Sequence, residues 1–494
     1  MSTASNPCIA IVGGGFAGVA VALRLLRRSP PPLHIQIVDP ANTPGLGVAY
    51  GTSQEHHLIN GVSKAISLFE EEPTHFTDWL ERQARAGGWT PPKGVAFADS
   101  LPPRRLYGAY LQETWRATLA QLRPGVTLNH VRASVTGLES VASRYALTLA
   151  DGTRLFADKV VLATGLLPRH IDRLPFSVSR SAQASRRYVA DQWQPGAWDG
   201  VAHDGRIVYL GSGLSALDGL ISSEHAGFRG EHLALSRKGL AVNERRTPEP
   251  WPDFLHIPES GLTLRQLIRQ IRPQLRAIAA RGEDWQRIVP TIRQQVDRLW
   301  SRASVRERQR FVRTLRSLWD VSLHRSAPAA LAWQARVKAE GRYRHAAGRL
   351  LGIDTLKNGR LAVFWRQRGS DAVQTVEADR VVNCLGFEYD WTHSDNPLCR
   401  DVLARGLVLP DPLGFGLQAT RTDCTLINAA GSLQHGLHAV GHPLRGVFWE
   451  SNAVTEHIPQ ATKVAQSIIA QLSDRAARGG QAAAGASWVQ HVPA

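Results

Sequence analysis

The chain has 494 residues, of which 43% are hydrophobic and 20% are charged, so we expect a soluble protein with two or three cores. Its four cysteines contain no C-x-x-C pair, which argues against a dithiol redox enzyme and a cysteine zinc site. A reduced, cytoplasmic protein is the expectation. The N-terminus has no basic segment followed by an apolar run and a small-residue cleavage site, so no signal peptide is expected.

The net charge of +16 is concentrated in one segment. Residues 264–316 contain fourteen arginines and four acidic residues. Four of the arginines recur at helical spacing, opposite an apolar stripe: Arg265, Arg269, Arg272 and Arg276. Such a row is typical of a nucleic-acid surface or of a solvated helix face, and no recognised nucleic-acid motif accompanies it. We therefore favour the solvated face and expect no nucleic-acid partner, while attraction of a small anion stays open.

The chain opens with a predicted strand at residues 9–12, a glycine turn and a helix. Gly13, Gly15 and Gly18 form a G-x-G-x-x-G motif, and the next predicted strand ends at Asp39. Glycines let the backbone approach a pyrophosphate at a helix N-terminus, and the acid can accept hydrogen bonds from ribose hydroxyls. This unit predicts a site for the ADP half of FAD. It also explains the early apolar run better than a membrane span does, so no membrane association is expected.

Shorter elements connect this unit to the rest of the chain. Helices are predicted at residues 74–86 and 106–122, and short strands at residues 126–156. The segment VVLATG, which ends at Gly165, is a strand followed by a small-residue turn. Its counterpart VVNCLG lies at residues 381–386, and each stands where the chain can cross between two domains.

The order of strand, glycine turn, helix and strand recurs further along the chain. The second turn contains Gly211 and Gly213, and the strand that follows ends at Ser236. Arg237 and Lys238 come next, where a site for an unphosphorylated ribose usually places an acid. Two cations and a hydroxyl suit a ribose that carries a 2′-phosphate. The sequence therefore predicts NADPH at this turn, and NADH stays possible if the cations are ordinary loop charges.

Two such turns in one chain predict an α/β protein with two Rossmann-like dinucleotide-binding domains, one for FAD and one for NADPH, and a helical insertion. The FAD-binding domain is expected over residues 1–200 and the NADPH-binding domain over residues 201–385. The arginine-rich segment at about 260–335 is expected to be the insertion. Residues 386–475 are expected to return to the FAD-binding domain, and residues 476–494 to form a flexible tail.

These motifs resemble those of the two-dinucleotide-binding flavoproteins, which include glutathione-reductase-like enzymes, flavin-containing monooxygenases and amino-acid N-hydroxylases. The segments GLGVAYGTSQEHHLIN, LSRKGL and GHPLRGVFWESNAVTEHIPQA resemble more specifically a bacterial branch of single-component FAD/NAD(P)H-binding proteins. The resemblance runs over about residues 5–470. That branch includes a flavoprotein urate hydroxylase, which this sequence resembles most, and an aspartate N-hydroxylase.

The resemblance implies an NADPH-dependent FAD monooxygenase, in which reduced flavin and O₂ form a C4a-hydroperoxide that transfers one oxygen atom to a small substrate. It favours hydroxylation of urate to 5-hydroxyisourate in purine catabolism, and the basic chain suits an anionic substrate. N-hydroxylation of an amino acid such as aspartate stays open. An NADPH oxidase or reductase without oxygen transfer stays open as well. The sequence does not indicate an oligomeric state.

By its position in the resemblance, the loop of residues 45–60 reaches the flavin. Asn60 is the first candidate for a catalytic contact there, and His57 is the second. The alternative for Asn60 is an amide that caps a turn. The histidines of the segment HGLHAVGH have no spacing typical of a metal site, so no metal is expected.

Overall fold

The computed structural model of the protein describes residues 6–30 and 32–485. The elements up to the segment VVLATG are, in chain order, β1 (Cys8–Val12), α1 (Phe16–Arg28), β2 (Leu33–Val38), α2 (Gly47–Tyr50), α3 (His75–Arg85), α4 (Arg104–Ala120), β3 (Val126–Val131), β4 (Val135–Val141), β5 (Arg144–Leu149), β6 (Arg154–Ala157) and β7 (Lys159–Leu162). They are followed by β8 (Ser177–Val178), α5 (Arg180–Ala184), β9 (Tyr188–Val189), β10 (Arg206–Leu210), α6 (Leu214–His225) and β11 (Glu231–Ser236).

A helical segment then separates β11 from the remaining strands. It consists of α7 (Leu264–Ala280), α8 (Ile288–Gln294), α9 (Val296–Arg302), α10 (Val305–Thr314), α11 (Arg316–Leu323) and α12 (Pro328–Ala339). The last elements are β12 (Tyr343–Thr355), β13 (Leu361–Gln367), β14 (Val373–Ala378), β15 (Arg380–Asn383), α13 (Pro397–Ala404), β16 (Thr425–Ile427), β17 (Leu433–Ala439) and α14 (Val454–Gly485).

The first sheet has the strand order β16-β17-β7-β1-β2-β3. Its strands run parallel from β17 to β3, and only the edge strand β16 is antiparallel to its neighbour. All five residues of β1 are buried, which is why its sequence, CIAIV, is apolar without alternation. β16, β17 and α14 bring the end of the chain back to this sheet, where α14 packs against α1.

The second sheet has the strand order β14-β13-β12-β11-β10-β15-β9, and β8 pairs with β12. Its central part, from β12 to β9, is parallel, and β13 and β14 extend it as an antiparallel hairpin. β8 and β9 lie before residue 201, so this sheet includes short strands from the chain that precedes the predicted domain boundary. β4, β5 and β6 form a separate antiparallel sheet.

The two large sheets repeat one local arrangement around their glycine turns. Gly13 has φ +105°, and a Cβ atom placed on it would lie 2.2 Å from the carbonyl oxygen of Ala163, just after β7. Gly211 has φ +120°, and its Cβ would lie 2.6 Å from the carbonyl oxygen of Cys384, just after β15. Only glycine fits either turn. The α/β class with two Rossmann-like units and added helices is confirmed.

The helices between β11 and β12 have a hydrophobic core of their own. It includes Trp251, Ile278 and Trp300, and it continues into Phe415 and Trp449 of the returning chain. The indole Nε1 of Trp300 donates a hydrogen bond to the carbonyl oxygen of Gly446 at 2.7 Å. The segment is therefore fixed to the first sheet's return segment by packing. The four arginines of the row on α7 are exposed, as expected of a solvated face.

The C-terminal helix is longer than the sequence indicated. α14 extends to Gly485, so residues 476–485 of the predicted tail are helical, and residues 486–494 lie outside the described residues. Across residues 6–30 and 32–485, no helix combines the length and the apolar character that crossing a membrane requires.

Candidate functional site

The first glycine turn is held closed by the carboxylate of Asp39. The backbone N–H of Gly14 donates to Asp39 Oδ2 at 2.6 Å, and that of Ala41 donates to Asp39 Oδ1 at 2.8 Å. Asp39 follows β2, so the acid that the sequence placed at the ribose position lies beside the turn. Because each carboxylate oxygen can accept more than one hydrogen bond, Asp39 keeps acceptor capacity for a ligand.

Gly15, Gly18 and Gly165 differ in the space around them. A Cβ on Gly18 would lie 2.0 Å from the carbonyl oxygen of Gly13, so Gly18 is required for packing between helix and strand. A Cβ on Gly15 would approach only the Cα of Gly47, at 3.9 Å, and one on Gly165 would meet nothing within 4 Å. The open side of the turn lies at the N-terminus of α1, whose backbone N–H groups favour an anion. These residues fit the pyrophosphate of a dinucleotide.

The second turn borders a large cationic cavity. A cavity of about 1250 Å³ is lined by Gly211, Ser236, Arg237 and Lys238, so the structure brings together four of the residues predicted from the sequence. Gly213 is the residue that caps the N-terminus of α6, and a Cβ on it would meet nothing within 4 Å. The cavity is also lined by cations that the sequence did not single out: Arg169, Arg313, Arg316, Arg349, Arg366 and Arg368.

The polar groups at the end of β11 are held in different ways. Ser236 Oγ lies 3.2 Å from His345 Nε2 and accepts a hydrogen bond from the backbone N–H of Gly239. Lys238 Nζ donates to the carbonyl oxygen of Thr314 at 2.6 Å, which ties this loop to the end of α10. Arg237 is exposed at the cavity. Arg237 is therefore the cation of the pair that is free to meet a phosphate.

Asn60 lines a third site, a cavity of about 400 Å³ between the two large sheets. The cavity is bordered by Tyr50 and His442, which belong to the part of the chain around the first sheet. It is also bordered by Leu214 and Ser215 at the start of α6, beside the second sheet. Residues 452–455, where α14 begins, also line it. The N-terminus of α6, beside the second sheet, and that of α14, beside the first sheet, therefore face one cavity. Parallel sheets bind ligands beyond the carboxyl ends of their strands, which is where this cavity lies.

His57 does not face the cavity that Asn60 lines. It borders a neighbouring cavity of about 550 Å³, and Trp193 borders both. Its Nε2 lies 2.9 Å from Ser222 Oγ, and its Nδ1 lies 2.7 Å from Thr52 Oγ1. Burial and, to a smaller extent, the nearby charge of Arg104 together lower the pKa of His57 to about 3. The ring is therefore neutral, with both nitrogens engaged.

Two ion pairs set the charge around the cavity of Asn60. Arg104 Nη2 lies 2.9 Å from Asp218 Oδ2, and burial raises the pKa of Asp218 although Arg104 opposes this. His324 Nε2 lies 2.8 Å from Glu450 Oε2. Burial alone would raise the pKa of Glu450, but the hydrogen bond and charge of His324 bring it down to about 2.

Arg245 and Arg293 line the same cavity, although no motif in the sequence points to them. Arg245 lies in the loop after β11 and Arg293 lies on α8, so the two residues are far apart in the sequence. Burial lowers the pKa of Arg245 to about 10, and the like charges of Arg325 and Arg293 contribute. The many arginines in this part of the sequence indicated a cationic region. Their sequence positions did not indicate which of them meet at the cavity.

The histidines of the segment HGLHAVGH lie in different surroundings. His435 is exposed, while His438 is buried with its Nδ1 3.2 Å from the carbonyl oxygen of Asp423. The ring of His442 packs edge-on against His457 at 5.1 Å, and burial lowers its pKa. Among the described residues, no group of three or more His, Cys, Asp or Glu side chains has the arrangement of a metal site.

The residues of the first sheet carry a recognisable family signature. Residues 10–167 match a family model described as FAD-NAD(P)-binding. The chain contains an FAD-NAD(P)-binding domain. This domain covers the first glycine turn, Asp39, Asn60 and Gly165, so the fit of a dinucleotide to the turn agrees with the family match.

Two curated relatives are similar to parts of the chain. An L-aspartate N-monooxygenase (nitrosuccinate-forming) of Streptomyces davaonensis is 30% identical over 198 residues, which is 34% of this chain and 30% of the relative. An FAD-dependent urate hydroxylase of Xanthomonas campestris pv. campestris is 26% identical over 260 residues, which is 51% of this chain and 50% of the relative. The chain thus spans half or less of the length of these relatives.

A solved structure resembles nearly the whole chain. The ornithine N-hydroxylase of Kutzneria sp. 744, solved with reduced FAD, NADP⁺ and L-ornithine, has a TM-score of 0.63 at 15% identity, over 94% of this chain and 99% of that chain. This likeness establishes the fold beyond the family domain. The chain with the FAD-NAD(P)-binding domain therefore shares the fold of this structure over 94% of its length.

Proposed function

We propose that this protein is an NADPH-dependent FAD monooxygenase. The observation that carries the proposal is the cavity of about 400 Å³, toward which the N-termini of α6 and α14 both point, from the two nucleotide-binding halves. The family match supports FAD at the first glycine turn. An enzyme that reduces one cofactor with the other needs their reactive ends to meet in one water-poor space.

The chain's own residues would hold FAD at the first turn. The backbone of Gly13–Gly15 and the N-terminus of α1 bind the pyrophosphate, and Asp39 accepts hydrogen bonds from the ribose. FAD, when bound, supplies the electron transfer and the activation of O₂ that no side chain provides. The amide of Asn60 can donate and accept hydrogen bonds at the cavity wall, and the first N–H groups of α14 are donors at its other side.

The second turn would hold NADPH in the cationic cavity. Gly213, on which a Cβ would meet nothing within 4 Å, leaves the backbone N–H groups at the start of α6 accessible, and Arg237 is exposed beside the cavity. A 2′-phosphate carries close to two negative charges, so several guanidinium groups around it outweigh the single acid that lines the cavity, Asp320. This supports NADPH rather than NADH as the reductant.

Two substrates are proposed for the oxygen transfer. Urate hydroxylation is supported by the motifs of the sequence and by the urate hydroxylase relative. N-hydroxylation of an amino acid is supported by the aspartate N-monooxygenase relative. N-hydroxylation of ornithine is not proposed, because its support is a similarity in fold at 15% identity.

The experiment that tests the function measures NADPH oxidation by the FAD-loaded protein under air, without substrate, with urate and with L-aspartate. Urate absorbance, nitrogen-oxidised product and hydrogen peroxide are followed in parallel. A monooxygenase consumes one substrate in step with NADPH and releases little peroxide. If NADPH oxidation yields peroxide in full with every substrate tried, the protein is an NADPH oxidase and the proposal is wrong.

A further inference from the structure

The cavity of Asn60 is closed on one side by the segment between β11 and β12. Arg245, Arg293, Leu323 and His324 line it from that side, and the loop that carries Asn60 lines it from the other. The arginine-rich segment therefore forms part of the cavity wall in addition to its exposed surface. It supplies the wall that a substrate would touch when it reaches the flavin side.

Two cations of this wall lack a close counter-ion. Arg245 has no ion pair within 4.0 Å among the described carboxylates, and its buried Nε has no hydrogen-bond partner. Arg293 Nη2 donates to the carbonyl oxygen of Leu323 at 2.9 Å, but its Nε is also buried without a partner. Behind them, the buried Arg325 donates from Nη1 to the carbonyl oxygen of Arg246 and to Gln286.

Asp218, which lines the cavity, and the neighbouring Glu450 are already engaged. The nearby, partly buried Glu456 interacts with Arg293 rather than with Arg245. Asp218 is paired with Arg104 at 2.9 Å, and Glu450 is held by His324 at 2.8 Å and by the indole Nε1 of Trp319 at 2.7 Å. Arg293 lies close enough to Glu450 to lower the pKa of that carboxyl. No carboxylate does the same for Arg245, whose pKa is shifted only by burial and by other arginines.

An uncompensated guanidinium in a partly buried wall is unfavourable unless a ligand brings the missing negative charge. The planar fork of a guanidinium matches a carboxylate with two parallel hydrogen bonds. A substrate whose only charge is a basic amine would be repelled by the same cluster, whereas the two equivalent oxygens of a carboxylate both fit the fork and share the negative charge. The wall therefore favours a small anion, and a carboxylate is a group that matches its fork.

We propose that Arg245 and Arg293 bind a carboxylate group of the substrate, so that the substrate is a small carboxylate anion such as an acidic amino acid. This assignment rests on the proposed function for placing the substrate in the cavity of Asn60. It also assigns a role to the helical insertion, which provides substrate recognition while the two sheets bind the nucleotides.

The test is a calorimetric titration of the FAD-loaded full chain with L-aspartate and with succinate, in wild type and variants. We expect Arg245→Gln to weaken binding of both by about tenfold or more, since a charge-assisted hydrogen bond is lost. Arg245→Lys should recover part of the affinity, because the charge remains while the fork is lost. Arg276→Gln, which removes an exposed cation of α7, is the matched control and should bind as wild type does.

Succinamide, the neutral analogue of succinate, separates charge recognition from shape. The proposal is overturned if succinamide binds wild type as tightly as succinate, if neither carboxylate binds, or if Arg245→Gln binds them unchanged at wild-type FAD content. Binding of urate that depends on Arg245, with no carboxylate binding, overturns it as well. Arg245-dependent carboxylate binding without oxygen transfer would instead sustain this assignment and count against the monooxygenase.

Discussion

The guanidinium of Arg104 and the carboxylate of Asp218 form an ion pair that joins the two nucleotide-binding halves, with Nη2 and Oδ2 2.9 Å apart. Arg104 is the first residue of α4, and Asp218 lies in the middle of α6. Arg104 Nε also donates to the carbonyl oxygen of Leu58 at 3.0 Å. Both side chains line the cavity of Asn60, so this contact fixes the distance between the halves at the point where the cofactors would meet.

Removal of Arg104 should destabilise the protein in a pH-dependent way. Arg104→Ala leaves the buried Asp218 without its cation, and breaking such a pair costs on the order of 3 kcal/mol. Burial already raises the pKa of Asp218, and loss of the cation raises it further. A raised carboxyl pKa costs no stability below about pH 4, where the group is protonated in both states, and the loss grows as pH rises through the folded-state pKa.

Urea unfolding at pH 5 and pH 8 checks this prediction through the difference between wild type and variant at each pH. Arg105→Ala is the matched control, because the neighbouring Arg105 pairs with Glu55 on the surface and should contribute within about 1 kcal/mol. An Arg104→Ala variant with a deficit no larger at pH 8 than at pH 5 would contradict the assigned role of Asp218.

Gly15→Val should abolish FAD binding without unfolding the apoprotein. A Cβ at this position would meet no protein atom closer than the Gly47 Cα, at 3.9 Å, so the added side chain starts on the open side of the turn where the pyrophosphate would lie. Gly13→Ala differs, because its Cβ would lie 2.2 Å from the carbonyl oxygen of Ala163 in a backbone with φ +105°. We expect apo Gly15→Val to melt within about 2 °C of the wild-type apoprotein, and Gly13→Ala to melt clearly lower.

Flavin absorbance after reconstitution with FAD measures the binding, and differential scanning fluorimetry of the apoproteins measures the stability. A Gly15→Val protein that retains stoichiometric FAD would show that the first turn is not the pyrophosphate site. Equal melting of the two glycine variants would show that the packing of Gly13 against Ala163 is not required.

Arg237→Glu should reverse the charge that meets the 2′-phosphate. We expect kcat/KM for NADPH to fall by about tenfold to a hundredfold, since one or two charge-assisted hydrogen bonds become a repulsion. The value for NADH should change less than about threefold, because NADH has no phosphate at this position. Steady-state kinetics with both reductants, compared with the surface variant Arg272→Glu, gives the ratio. Equal losses with NADPH and NADH would contradict the assignment.

The local motifs of both nucleotide sites could be predicted because the physics is local. A strand, a glycine turn and a helix are adjacent in sequence, and the next strand follows directly, so the positions of Asp39 after β2 and of Ser236 at the end of β11 could be predicted. The cations opposite them could not be predicted. Arg366 comes from β13, which the strand order of the second sheet brings to the cavity, and Arg313 comes from α10, which reaches it only through the packing of the helices.

The substrate side depends even more on tertiary structure. His57 and Asn60 are three positions apart on one loop, yet they border different cavities because Trp193, from the chain before β10, stands between them. Arg245 and Arg293 are unremarkable in a segment with many arginines. Their meeting at one cavity, and the lack of a carboxylate partner for Arg245 in the described part of the chain, are properties of the packed helices that no spacing in the sequence reports.

Substitution of His57 should reduce the loss in the free energy of unfolding that wild type shows as the pH falls below 6.5. Burial and the charge of Arg104 lower the pKa of His57 to about 3, whereas an unfolded histidine titrates near pH 6.5. A depressed histidine pKa gives stability that is present above pH 6.5 and is lost as pH falls toward 3, because only the unfolded state takes up the proton. Between pH 6.5 and 4.5, His57→Gln should therefore lose about 1–2 kcal/mol less of its free energy of unfolding than wild type does.

The exposed His203 provides the control variant, His203→Gln, whose free energy of unfolding in urea should change with pH as that of wild type does. A His57→Gln slope equal to that of wild type would mean that the pKa of His57 is not lowered in the folded protein, and His57 would then return as a candidate for proton transfer.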